Sequence, residues 1–213
     1  MSNRRNLLPA IDPVWLAAGG LFLGAAYLLG RPRFPIQPTP GVSVNAGWAG
    51  SEPYPRPRHR ALDIVAARNT PIRAVDDGVI VRVDRTIKGD AGLQVRIRHH
   101  IAGLGFVETR SAHLEPGTIA DWVRPGHYIS GGSAFAGAGE TGKANNPHLH
   151  IDAWICDPQT MRRYIELFGV AKNMDVDRAL AGKCTLVPIE PLIRVDEYNR
   201  NVAGVSRAAG VAV

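Results

Sequence analysis

From Pro13 to Gly30 the chain reads PVWLAAGGLFLGAAYLLG, eighteen positions without a charge. A helical run of that length reaches the lower limit for spanning a hydrocarbon core. It leads into Arg31-Pro32-Arg33 and not into the small-residue site of a cleaved signal peptide. We read 1–12 as a cytoplasmic N-terminus and 13–30 as an uncleaved transmembrane anchor, with Trp15 and Tyr27 as interfacial aromatics; a cleaved signal peptide is the competing reading. Residues 31–57 carry seven prolines among Gly, Ser and Asn, the composition of a stiff linker. The pattern then changes to short alternating runs. Strands are predicted at 62–67, 72–74, 79–83, 93–98, 107–114 and 148–154; in the fourth, apolar residues at 93, 95 and 97 alternate with polar ones, marking one buried face. Glycines at 126, 131, 132, 137, 139 and 142 punctuate tight turns. A helical period appears only afterwards: Asp157 is the N-cap, Pro158 opens the helix, Met161, Tyr164, Ile165 and Phe168 share a face, and Gly169 ends it. The expected fold is mainly β, a compact antiparallel β-sandwich over 58–155, preceded by the transmembrane helix and followed in 156–213 by a short helix and a loose tail.

Composition narrows this picture without redirecting it. With 45% hydrophobic residues and no glycine period, the 213-residue chain is neither disordered nor collagen-like. Two cysteines exclude a disulfide-dense mini-protein and a cysteine-only zinc site. Cys156 and Cys184 bracket the predicted helix, and spacing alone leaves open a bridge or two buried thiols. The net charge is +6, but half of that excess is Arg4, Arg5, Arg31 and Arg33 around the apolar segment, set against Asp12, and no nucleic-acid partner is expected.

The histidines carry the candidate chemistry. His148 and His150 flank Leu149 on a predicted strand, so both rings leave one face about 7 Å apart along the chain and both can address one metal. His59 and Asp63 form H-x-x-x-D, a second pair of zinc-binding types, and His113 follows a third run in SAHL. Three protein ligands would leave a zinc position for a water whose pKa falls to about 7. There is no H-E-x-x-H, so proton transfer falls to imidazoles, and no Gly-x-Ser-x-Gly nucleophile competes. His99, His100 and His127 stand at a strand end or turn and are read as structural.

HRALDIVAARNTPIRAVDDGVI, SAHL, VRPGHYISGGSAFAGAGETG and NPHLHID, in that order over roughly 59–152, resemble the motifs of the lysostaphin-type zinc endopeptidases, which cleave bacterial cell-wall peptides. The resemblance implies one zinc per chain on His59, Asp63 and His150, with His113 and His148 in catalysis, and peptidoglycan stem or cross-bridge peptides as substrate. It differs at Ala61, Asn69 and Asn146, where the family usually has glycine, and at Ser111, where it has tyrosine; Ala61 and Ser111 are expected nearer the chemistry. For a wall hydrolase the expected location is the bacterial inner membrane, single-pass, with the catalytic domain periplasmic and an envelope-machine or regulatory protein as a further partner. Two other classes are compatible: a silent relative that binds or activates other wall hydrolases, and a β-sandwich envelope adaptor. The adaptor reading leaves the histidine pairs unexplained and lacks a lysine at either hairpin tip.

Overall fold

Alternating burial builds one broad antiparallel sheet. The computed structural model describes residues 33–48, 59–171 and 173–193. Its strands are β1 (Ser43–Ala46), β2 (Leu62–Val65), β3 (Pro71–Arg73), β4 (Gly78–Asp84), β5 (Gln94–Ile101), β6 (Gly105–Ala112), β7 (Tyr128–Ile129), β8 (Ala134–Gly137), β9 (His148–Ile155) and β10 (Thr185–Val187). The main sheet runs β1-β2-β9-β6-β5-β4-β7, with β10 on β9 beyond the end of β2; β3 and β8 form a separate ribbon. The sandwich is therefore unequal, a wide sheet and a two-stranded one whose Ile72, Phe135 and Ala136 join the same core.

On β9, Leu149, Ile151, Ala153 and Ile155 are buried inward, which leaves His148, His150, Asp152 and Trp154 on the other face. Across the register, Asp63 stands opposite His150 on one side of β9 and Ala112 on the other. Helix α1 (Pro158–Phe168) has Asp157 as N-cap, accepting from Thr160 N at 2.6 Å, and Gly169 as C-cap. It buries Met161 and Tyr164, about 1.5–3 kcal/mol of apolar burial each, and Tyr164 Oη donates to Pro188 O at 2.8 Å. A second helix, α2 (Val176–Leu180), follows, and Cys156–Cys184 is a disulfide closing this excursion onto the end of β9.

Two expectations are corrected. Residues 33–48 are not linker: β1 pairs with β2, and Ile36, Val42 and Trp48 are buried in the core. The prolines at 35, 38 and 40 masked this, because the strand begins only after them. His99 does not end a strand; β5 continues to Ile101, and His99 is fully buried. The anchor at 13–30, the linker residues 31, 32 and 49–57, and the tail beyond 193 lie outside the described residues. Among the described residues no helix is long and apolar enough to cross a membrane.

Candidate metal centre

All five candidate residues line one cavity of about 370 Å³, together with Asn45, Arg110 and Lys143. Register explains the convergence: β2 and β9 set Asp63 beside His150, His59 enters one helical-turn spacing before Asp63, and His113 follows the end of β6 next to His148. His59 Nε2 and His150 Nδ1 both approach Asp63 Oδ1, at 3.1 and 2.9 Å, and the three ligand atoms lie within 4.8 Å of one another. His113 and His148 have ring centroids 4.8 Å apart, and His148 Nε2 is 4.0 Å from Asp63 Oδ1.

Backbone carbonyls set the tautomers. A carbonyl only accepts, so Nδ1 donates in each pair: His59 to Gly47 O at 3.0 Å, His113 to Thr141 O at 2.7 Å, and His148 to Asn146 O at 2.8 Å. In each neutral ring the Nε2 lone pair is thereby free. His59 Nε2 is buried and makes no hydrogen bond, yet it faces a carboxylate oxygen. A lone pair against a carboxylate is repulsive unless a cation sits between them. The donor set, two imidazoles and one carboxylate, suits zinc, so the residues fit the metal.

Electrostatics follow the same geometry. Burial alone would raise the Asp63 carboxyl, but the hydrogen bond from His150 and the facing ring of His59 hold it far below the usual carboxylate range. Burial alone would lower His150, but Asp152 and Asp63 on its two sides bring it up to about 9. Burial holds His113 below the ordinary histidine value, and the rings of His148 and His150 add to that against the pull of Thr141 O and Asp63. His113 is therefore neutral at pH 7.

Four supporting residues were not singled out from the sequence: Asp152, Arg110, Trp154 and Thr141. Asp152 is 1% exposed, with Oδ2 3.7 Å from His150 Nε2; Arg110 grips the same oxygen and Trp154 Nε1 donates to Oδ1 at 2.7 Å. The signal was present as alternation in H-L-H-I-D, which continues one strand face from His148 to Asp152. Thr141 holds His113 through its carbonyl while its hydroxyl donates to Leu114 O and accepts from Leu93 N. A Cβ at Gly92, where φ is +62°, would meet Thr141 Oγ1 at 2.4 Å, so this approach requires glycine.

Departures from the motif pattern resolve individually. Asn69 adopts φ 65°, the left-handed conformation in which it replaces glycine with little cost; Asn146 does not. Ser111 is opposite Ile151 and buried, so it faces the core and not the metal ligands. His100 and His127 are exposed and stand outside the site.

With this geometry in place, comparison with known proteins is decisive at the family level: residues 57–161 match Peptidase family M23. The chain carries a peptidase family M23 domain. Over 97 residues, 46% of the chain, it is 39% identical to a protein of Neisseria meningitidis serogroup B named DD-carboxypeptidase/endopeptidase Mpg, of which the match covers 20%. An uncharacterised metalloprotease of Haemophilus influenzae is 28% identical over 68% of this chain and 29% of its own length. The chain thus spans less than a third of these relatives. In fold it resembles lysostaphin from Staphylococcus simulans, with a TM-score of 0.51 at 20% identity, covering 78% of this chain and 54% of that one. The resemblance drawn from the motifs is confirmed, and the mainly antiparallel β architecture agrees with that neighbour.

Proposed function

We propose that this M23 domain is a zinc-dependent endopeptidase hydrolysing peptide bonds of bacterial cell-wall peptidoglycan. The observation that carries the reading is the convergence of His59 Nε2 and His150 Nδ1 on one oxygen of Asp63, beside two further imidazoles. His59, Asp63 and His150 would hold the zinc. When bound, zinc supplies Lewis acidity toward a peptide carbonyl and acidifies water at its remaining position. His113 and His148, with Nδ1 committed to carbonyls, offer Nε2 to accept a proton from the attacking water and return it to the leaving amine. Asp152, fixed by Arg110, orients His150 through its other ring nitrogen. The relative named DD-carboxypeptidase/endopeptidase supports a wall-peptide substrate.

For location we propose a single-pass inner-membrane protein anchored by 13–30, with the folded domain periplasmic. The Cys156–Cys184 bridge supports an oxidising compartment. A silent binder of other hydrolases is disfavoured because the ligand set is complete.

The test is zinc analysis beside wall digestion on five variants. His59→Ala, Asp63→Ala and His150→Ala are expected to lose zinc and activity together. His113→Ala and His148→Ala are expected to keep zinc while the rate falls by about 10² to 10⁴. Zinc lost from His148→Ala and kept by His150→Ala would reverse the assignment, and five variants with full zinc and activity would place the site elsewhere.

A further inference from the structure

The face of the sheet that carries the metal ligands continues as a charged floor away from them. Arg82, Arg96 and Arg110 stand directly across from one another on β4, β5 and β6, and Arg110 is opposite Asp152 on β9. Three of the arginines on this face are paired: Arg82 with Asp84 at 2.8 Å, Arg98 with Glu108 at 2.6 Å, and Arg110 with Asp152. Arg96 has no ion pair or hydrogen bond among the described residues, and its Nε is buried without a partner. Its guanidinium instead lies 5.2 Å from the centroid of Trp154, and Arg110 lies 6.0 Å from the same ring. Burial, and then repulsion by Arg110, weakens its hold on its proton, and Asp152 and Glu108 offset only part of this. Counting Arg82, Arg96, Arg98 and Arg110 against Asp84, Glu108 and Asp152 leaves one positive charge without a partner, which calls for a singly charged anion. A planar guanidinium beside an indole ring, its fork unpaired, suits a carboxylate.

We propose that Arg96, on the Trp154 shelf, is a specificity-determining residue that binds a carboxylate of the peptide substrate. This rests on the peptidase reading above. Arg110 lines the metal cavity and Arg96 is one strand further out, two strands from β9. That is about 10 Å, so the carboxylate belongs about three extended residues from the bond that is cut. Either an acidic side chain or the free C-terminus of the peptide supplies the same group. Beyond Trp154 a cavity of about 390 Å³, lined by Arg98, Phe106 and Glu108, gives the chain a continuing path.

The experiment uses the zinc-loaded full chain and synthetic wall-type peptides in matched pairs, one pair with an acidic side chain or its amide, the other with a free or amidated C-terminus. Both kcat/KM and equilibrium binding are measured. Wild type is expected to favour the carboxylate member of one pair by about ten-fold or more, mainly through KM, and that pair identifies the source. Arg96→Gln is expected to bring the ratio near one, and Arg96→Lys to keep part of it. Arg124→Gln removes the same charge from an exposed loop outside both cavities and is expected to keep the ratio. Equal binding of both members by wild type, or a ratio that survives Arg96→Gln, overturns the proposal. A binding preference that depends on Arg96, without cleavage of any peptide, overturns the peptidase reading and leaves the carboxylate site standing.

Discussion

His99 is fully buried in β5, where its Nδ1 donates between Asp76 O and Asp77 O at 3.1 Å each and Thr109 Oγ1 donates to Nε2 at 2.9 Å. Burial, against the pull of those carbonyls, lowers its pKa to about 4. The unfolded chain takes up the proton near pH 6.5, whereas the folded one refuses it until about 4, so stability is full above 6.5 and falls as pH drops between those values. The shift corresponds to about 3 kcal/mol. Urea unfolding at pH 7 and 4.5 is expected to show this loss in wild type and a flatter response in His99→Gln; an unchanged slope would assign the loss to other groups. Asp152 acts through a neighbour instead. Asp152→Asn keeps the shape but removes the charge that steadies His150 and Arg110, and zinc affinity is expected to fall about 10- to 100-fold by competition with a chelator. Affinity equal to wild type would reduce Asp152 to a packing residue. At this scale four of the five candidate side chains were legible from spacing, because H-x-H and H-x-x-x-D put ligand types where strands and turns convert them into convergence, whereas His113 rested on the resemblance of its SAHL motif. Arg110, Thr141 and the burial of His99 were not, because each depends on a partner that only the folded chain brings alongside.

Elements were legible where local chemistry determined them. Helix α1 has the cap, opening proline and stop glycine expected of it, since these act through adjacent backbone groups. Strands β2, β5 and β9 follow from alternation over four to eight residues. β1, β7 and β10, of four, two and three residues, carry too few alternations to read, and pairing with a longer neighbour defines them. Glu190 is such a long-range tie: it accepts from Trp48 N at 2.6 Å and so connects the segment after β10 to the loop whose Gly47 O positions His59. The disulfide stabilises the same region. Closing a loop of 28 residues, it is expected to contribute about 3.5 kcal/mol on the loop-entropy model. The paired Cys156→Ala, Cys184→Ala variant should unfold at correspondingly lower urea, and thiol titration of unfolded, unreduced wild type should find no free thiol. Two free thiols would show that the bridge is absent from the protein.

The whole chain joins a peptidase domain to an apolar segment with arginines on both sides. Counting positive charges does not orient such a segment, because Arg4 and Arg5 on one side balance Arg31 and Arg33 on the other. The wall substrate proposed above bears on the orientation. A wall peptide lies outside the cytoplasm, and a bridge between Cys156 and Cys184 persists only where thiols are not kept reduced. On these two grounds we propose that the folded domain lies outside and the Arg4-Arg5 end inside. A reporter active only in the cytoplasm, fused after Val213, is therefore expected to be silent, and one active only outside to report. An active cytoplasmic reporter would remove the orientation, the oxidising compartment and the wall substrate together, because all three depend on the same side of the membrane. The cluster of His59, Asp63 and His150 would survive that result, since it depends on the register of β2 against β9 and on the hold of Gly47 O on His59.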